Sequence, residues 1–149
     1  MKNNLKNTEL IVKSRTENLS GIRDFIASAA RSSGIKEDIV ENIILAVDEA
    51  CSNIIKHAYK RDPEGEIKIN LELTNGKFTV IIQDEGNSFE PDSVPDPDLQ
   101  KYYRQRRVGG LGMYLMKSLM DDVEYISVPG KFNKVLLTKN ISAAQTNAG

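Results

Sequence analysis

An acid and an amide stand four positions apart inside an amphipathic helical pattern, at Glu49 and Asn53. This spacing puts the two side chains one above the other on one helix face. A carboxylate can take a proton from a hydroxyl group, and a carboxamide oxygen can bind a hard cation such as Mg²⁺. A solvated helix face is the ordinary interpretation of such a pair. However, Asn is a poor helix former, and Asn53 stands in the most apolar helical segment of the chain, which favours a use for its side chain.

A second acid, Asp84, ends a predicted strand, and Gly86 follows two positions later. In many turns such an Asp only caps the backbone. It could instead accept a hydrogen bond from an exocyclic amine, which would select adenine over guanine because a guanine carbonyl would set two acceptors face to face. Gly86 would let a flat ring approach the backbone.

The stretch Gly109-Gly110-Leu111-Gly112 opens a helix that the apolar spacing predicts over 111–120. Glycines at a helix N-terminus let phosphate oxygens reach unpaired backbone N–H groups. A flexible helix entry is the equally simple alternative, and the Gly-Lys-Ser/Thr of a Walker phosphate loop is missing. The basic residues upstream could be a solvated charge run or could brace a terminal phosphate: Lys101, Arg104, Arg106 and Arg107.

Length and composition predict one globular domain over 1–149, with its core at about 8–140 and a frayed tail at 141–149. A net charge of −1 gives no support for nucleic acid as a direct partner, and no apolar run reaches the length of a membrane span. The N-terminus leads into no hydrophobic signal segment, and one cysteine, Cys51, excludes an internal disulfide. We therefore expect a cytoplasmic protein without a membrane partner.

Hydrophobic periodicity predicts strands at 10–12, 67–73, 78–84, 124–128 and 135–139, and helices at 17–32, 36–57 and 111–120. Tight turns join neighbouring strands, so the sheet should be mostly antiparallel. Three helices must each bury one face, which predicts an α+β fold: a two-layer α/β sandwich whose sheet is covered on one face by three helices. A loop from about 85 to 108 is long for a compact domain, and such loops are usually functional.

Three short stretches, taken together and in this order, resemble the N box and the two glycine boxes of the Bergerat-fold (GHKL) ATPases. They are Glu49-x-x-x-Asn53, Asp84-x-Gly86 and Gly110-x-Gly112. Within that superfamily, the stretches at 46–54 and 110–116 are similar to the anti-sigma-factor serine kinases. The resemblance covers about residues 8–140.

The resemblance implies a protein that binds ATP and Mg²⁺, sequesters an alternative sigma factor and phosphorylates a serine of an anti-anti-sigma protein of the STAS type. It also implies a homodimer. Glu49 would act as general base toward the substrate hydroxyl, and Asn53 would ligate Mg²⁺. Asp84 would bind the adenine amine and Gly86 would pack near the base. The phosphates would be held by the glycine stretch: Gly109, Gly110, Leu111 and Gly112.

The chain departs from the family pattern at two places. Ser88 replaces the second glycine of the Asp-x-Gly-x-Gly box, and Val108 stands where a lid arginine often precedes the glycines. Arg106 or Arg107 would have to serve as that arginine, and the pattern does not choose between them. The alternative function is a non-catalytic ATP-binding module for partner switching, with Glu49 idle. The ATP-binding half of a histidine kinase is set aside, because the chain has no room for a histidine-bearing helix pair.

Overall fold

The computed structural model describes residues 8–87, 108–142 and 145–146, and of residues 108–113 it describes the backbone. Within these residues five strands and three α-helices form. In chain order they are β1 (Glu9–Lys13), α1 (Leu19–Ser32), α2 (Glu37–Asn53), β2 (Glu66–Thr74), β3 (Lys77–Asp84), α3 (Val108–Leu119), β4 (Asp122–Val128) and β5 (Phe132–Asn140). A 3-10 turn, Thr16–Asn18, precedes α1, and a π-helical turn, Ile54–Ala58, continues α2.

The five strands make one antiparallel sheet in the order β1-β2-β3-β5-β4. The β2–β3 hairpin turns at Asn75 and Gly76, whose φ angles of 54° and 73° fit the type I′ turn that Asn-Gly favours. The predicted α+β fold with a largely antiparallel sheet is confirmed.

The core lies between the helices and one face of the sheet. Alternate residues of β2 and β3 are buried, while Lys68 and Asn70 on the opposite face are half-buried and Glu72 is exposed. Each fully buried Ile or Leu contributes about 1.5–3 kcal/mol relative to an exposed one. The sheet and helix residues that build this core include Ile22, Ile26, Val40, Ile43, Ile69, Leu71, Phe78, Val80, Ile82 and Leu137.

Helices α1 and α2 form an antiparallel pair joined by a short connection. Gly34, with φ +79°, follows the end of α1, as the sequence predicts. Arg23 of α1 forms a 2.6 Å ion pair with Asp48 of α2. Cys51 is fully buried, as predicted for a small hydrophobic side chain, and this burial raises the pKa of its thiol.

The structure differs from several of the predicted boundaries. α3 begins at Val108, so the glycine stretch lies inside the first turns of the helix rather than before it. The α-helical geometry of α2 ends at Asn53, and the predicted extension to residue 57 is a wider π-helical turn. In the tail, which the sequence predicts to be frayed, the described residues make two contacts: Lys36 N donates to Gln145 O at 2.9 Å, and Thr146 bridges to Ile35.

Among the described helices, none combines the length and the hydrophobicity needed to cross a membrane.

Candidate functional site

Glu49 and Asn53 lie one turn apart on α2, and both are half-buried at the border of its apolar face. Within the described residues, neither side chain has a hydrogen-bond or ion-pair partner. The neighbouring acid, Asp48, is engaged by Arg23. Of the two consecutive carboxylates, Asp48 therefore ties α2 to α1, and Glu49 remains available for other chemistry.

Asp84 is buried because of its position in the sheet. It follows Phe78, Val80 and Ile82 at every second residue of β3, so its side chain points to the core face of the sheet, where the residue is only 4% exposed. Its neighbour on β5 is Asn133, paired directly across the ladder. A carboxylate in a core-facing row is costly unless it is hydrogen-bonded.

Two donors reach the Asp84 carboxylate, and both bind Oδ1. Gly86 N donates at 2.9 Å, and Asn133 Nδ2 donates at 2.9 Å. Within the described residues, Oδ2 receives no hydrogen bond. Burial raises the pKa of Asp84, and the hydrogen bonds from Asn133 and Gly86 oppose that shift because they favour the charged form. One carboxylate oxygen is thus fixed by the protein, and the other can accept a further donor.

Asn133 holds the turn that follows β3. Its Nδ2 also approaches Gly86 O at 3.2 Å and Asn87 O at 3.0 Å, and its Oδ1 accepts a hydrogen bond from Ser127 Oγ at 2.6 Å. Sequence reasoning missed this residue because it placed the start of β5 at Val135, two residues after Asn133. The sequence could have indicated it, because Asn133 lies two residues before the buried Val135 and therefore points to the same face of β5.

Gly86 packs against the π-helical turn that follows Asn53. A Cβ at Gly86 would lie 2.5 Å from Ala58 O, and Asn87 N donates to the same oxygen at 2.7 Å. The structure requires glycine at this position because the backbone of Ala58 approaches so closely. The predicted packing of Gly86 near a base stays a prediction.

Tyr59 joins the same turn to the sheet. Its hydroxyl donates to Glu66 O at 2.6 Å and accepts from Glu85 N at 2.8 Å, while its ring covers Gly65. Burial raises the pKa of Tyr59, so the phenol keeps the proton that it donates. No feature of the sequence marked this residue, because its contacts join segments that only the fold brings together.

The helix that carries Glu49 and Asn53 lies beside the end of β3. The π-helical turn that continues this helix meets the residues that follow β3, where Ala58 O accepts a hydrogen bond from Asn87 N at 2.7 Å. α2 also contacts β3 and packs extensively against α3. The structure thus brings the first two predicted stretches into one neighbourhood and packs the helix of the third against α2.

The glycine stretch Gly109-Gly110-Leu111-Gly112 belongs to the first turns of α3. The first N–H groups of an α-helix have no partner within it, and those of Gly109 and Gly110 are among them. Arg106, Arg107 and Ser88 lie outside the described residues.

The donors near α2 fit a magnesium ion better than a metal held by protein alone. Among the residues that the structure describes, no three His, Cys, Asp or Glu side chains come together as a metal site. Mg²⁺ keeps several waters and commonly takes one or two protein oxygens together with phosphate oxygens. The unengaged amide oxygen of Asn53 and carboxylate of Glu49 suit that pattern.

Comparison with known proteins assigns the chain to a family. The model of the histidine kinase-like ATPase domain matches residues 12–139. Serine-protein kinase RsbW of Bacillus subtilis (strain 168) is 39% identical over 128 residues, which are 83% of this chain and 79% of that protein. Serine-protein kinase RsbW of Bacillus velezensis is 32% identical over 146 residues, 95% of this chain and 89% of that protein. The chain therefore belongs to the histidine kinase-like ATPase family and, within it, to the RsbW serine-protein kinases.

Two solved structures share the fold at low sequence identity. The SiaB–SiaC complex from Pseudomonas aeruginosa contains a chain with a TM-score of 0.64 and 10% identity, covering 87% of both chains. The RsbU and RsbW domains of Rv1364c from Mycobacterium tuberculosis give a TM-score of 0.61 and 13% identity, covering 90% of this chain and 32% of that one. Both confirm the predicted fold.

Proposed function

We propose that this protein is an ATP-dependent serine kinase that also acts as an anti-sigma factor. It binds an alternative sigma factor and phosphorylates a serine of an anti-anti-sigma protein of the STAS type. Membership of the RsbW serine-protein kinases supports the activity. The observation that carries the proposal is the pair Glu49 and Asn53, unengaged within the described residues, on the helix beside the buried carboxylate of Asp84.

In this proposal Asp84 selects the base. Oδ1 is fixed by Gly86 N and Asn133, and Oδ2 accepts the exocyclic amine of adenine. A guanine carbonyl at that place would meet a carboxylate oxygen with no proton between them, which disfavours GTP. The π-helical turn and Gly86 set the depth of the base pocket through their backbone contact.

The phosphates lie between α2 and the start of α3. The first-turn N–H groups of α3 and the positive end of its dipole bind phosphate oxygens, and Arg106 or Arg107 braces the terminal phosphate. The Asn53 amide oxygen would hold Mg²⁺, and that ion would supply charge neutralisation at the phosphates. Positioning and charge neutralisation supply most of the catalysis of phosphoryl transfer, so this small set of groups suffices.

Glu49 accepts the proton of the substrate serine. The serine oxygen attacks the γ-phosphorus, a new O–P bond forms, and the bond from that phosphorus to the β–γ bridging oxygen breaks to release ADP. The hydroxyl proton passes to the Glu49 carboxylate and then to solvent. We place this reaction in the cytoplasm and assign it to a homodimer, with the edge strand β1 and helix α1 as the surfaces for self-association.

The experiment that tests the proposal is transfer from γ-labelled ATP, with Mg²⁺, to a purified candidate anti-anti-sigma protein. Glu49→Gln keeps the size of the side chain but removes the base, so we expect phosphoserine formation to slow by about 10²–10⁴-fold. ATP affinity and the melting temperature should stay at the parent values. Glu41→Gln, at an exposed acid of the same helix, is the matched control and should transfer phosphate at the parent rate.

A different outcome would favour the non-catalytic alternative. If the protein bound its partners differently with ATP and with ADP but produced no phosphoprotein, it would be a nucleotide-responsive module for partner switching. If Glu49→Gln transferred phosphate as fast as the parent, another group would have to be the base.

A further inference from the structure

The Tyr59 hydroxyl occupies the place of a missing rung of the β2–β3 ladder. Paired residues of an antiparallel ladder alternate between hydrogen-bonded and non-hydrogen-bonded pairs, and the two-residue turn makes Thr74 and Lys77 a hydrogen-bonded pair. Counting from that pair, Glu66 and Glu85 would be the next hydrogen-bonded pair beyond Ile67 and Asp84.

That next pair does not close directly. Glu85 N donates to the Tyr59 hydroxyl at 2.8 Å, and the hydroxyl in turn donates to Glu66 O at 2.6 Å. An N–H and a carbonyl that would lie about 2.9 Å apart in a regular rung are thus separated by an oxygen atom between them. The hydroxyl keeps both groups satisfied while it holds the two strands apart.

The strands are held apart immediately next to Asp84. Glu85 is the residue between Asp84 and Gly86, whose N–H fixes Oδ1 of the carboxylate. If β2 and β3 closed one rung further, Glu85 would be drawn into the ladder and the Asp84–Gly86 turn would have to begin one residue later. The ring of Tyr59 is held in place against Gly65, where a Cβ would lie 2.5 Å from a ring carbon.

We propose that Tyr59 is a positioning residue for adenine recognition: its hydroxyl stops the β2–β3 ladder at Asp84 and so sets the direction in which Oδ2 of Asp84 points. This inference rests on the proposed role of Asp84 as the acceptor of the adenine amine. It assigns Tyr59 no contact with the nucleotide.

The test is the affinity of Tyr59→Phe for ATP and for purine riboside triphosphate, which lacks the exocyclic amine. The parent should prefer ATP by about tenfold or more, as expected for a hydrogen bond to a charged group. In Tyr59→Phe we expect ATP affinity to fall about threefold to tenfold, while affinity for purine riboside triphosphate changes less than about twofold. The rate of phosphate transfer at saturating ATP should be unchanged. Tyr114→Phe, at an exposed tyrosine of α3, is the matched control and should bind both nucleotides as the parent does.

The possible failures of this experiment are distinguishable. If the parent binds both nucleotides equally, Asp84 does not bind the exocyclic amine. The proposed adenine recognition and this inference would then both be wrong. If the parent discriminates and Tyr59→Phe discriminates equally well, the inference about Tyr59 alone is wrong. An equal loss of affinity for both nucleotides would show that Tyr59 only supports the fold, which also overturns it. Gly65→Ala displaces the ring without removing the hydroxyl and should reproduce the selective loss of ATP affinity.

Discussion

The two ends of the proposed nucleotide site differ in how far the protein fixes them by itself. At Asp84, strand register buries the carboxylate, and Gly86, Asn133 and Tyr59 hold the turn around it through direct hydrogen bonds. At Glu49 and Asn53, the helix fixes the backbone, but within the described residues no side chain engages either group. The proposed base end is therefore preorganised, whereas in our proposal the groups at the phosphate end would find their partners in the nucleotide and the ion.

This difference assigns separate roles to the two ends. A preorganised acceptor discriminates between bases because it cannot rearrange to suit the wrong one. A set of unengaged oxygens gains its interactions only when Mg²⁺ and phosphates arrive, so it controls affinity and reactivity rather than base choice. Substitutions at the two ends should therefore change different measurements.

The largest effect is expected at the phosphate end. Asn53→Ala removes the proposed protein ligand of Mg²⁺, and we expect ATP affinity measured by calorimetry with Mg²⁺ to fall by more than about a hundredfold. ATP affinity measured with EDTA, which removes Mg²⁺, should differ little between the variant and the parent. The variant should therefore lose the dependence of ATP binding on Mg²⁺. The melting temperature should not fall, because Asn has a less favourable helix propensity than Ala.

Asn42→Ala is the matched control for that substitution. Asn42 is also half-buried on α2, and it should keep the Mg²⁺ dependence of the parent. Unchanged affinity in Asn53→Ala would mean that the ion is held elsewhere. The role proposed for Asn53 at the phosphate end would then be wrong.

The next effect is expected at the base end. In Asp84→Asn the amide oxygen can still accept from Gly86 N and Asn133, so its NH₂ group takes the place of Oδ2 and faces the adenine amine donor to donor. We expect ATP affinity to fall about tenfold to a hundredfold and the preference over GTP to shrink or reverse, because a guanine carbonyl could accept from that NH₂. Competition of GTP and ATP for the parent and the variant measures this.

The control for the base end is Asp122→Asn, at an exposed acid of β4. It should leave nucleotide preference at the parent value. Equal competition by GTP and ATP for the parent itself would show that the function proposed for Asp84 is wrong.

The same contrast explains how much could be predicted from the sequence. The sheet was predictable because Ile67, Ile69 and Leu71 alternate with polar residues, and because Asn75-Gly76 is a strong local turn signal. In β3, the alternation of Phe78, Val80 and Ile82, extended by one step, places Asp84 on the core face. Glu49 and Asn53 could be singled out because their spacing within one helix is a local property.

The supporting residues of the base end were not predictable in the same way. Asn133 contacts Asp84 only because β3 and β5 pair in one particular register, which is set by the whole sheet. Tyr59 and Ala58 reach the turn at Glu85 and Gly86 through a π-helical turn, and no periodicity distinguishes that turn from a continuing α-helix. The start of α3 was misplaced because glycines usually mark the end of a helical pattern, although a first turn tolerates them.

The smallest expected effect is on stability, and it separates the two ends without any nucleotide. Burial raises the pKa of Asp84 in the folded protein above its value in the unfolded chain, which is about 3.9 for an ordinary Asp. The folded state therefore binds this proton more tightly than the unfolded state. The stability that the protonated carboxyl contributes is fully present below about pH 4 and is lost as the pH rises through the folded pKa. Asp84→Asn cannot ionise, so its free energy of unfolding should rise relative to that of the parent over that window.

Urea denaturation of both proteins between about pH 3.5 and pH 7 measures this difference, and subtracting the two curves removes the titrations that they share. Asp122→Asn, at an exposed acid of β4, is the matched control variant. A flat curve for Asp84→Asn would mean that Gly86 N and Asn133 fully offset the cost of burying the charge. The base end would then hold its carboxylate without a loss of stability, and only the nucleotide measurements would distinguish it from the phosphate end.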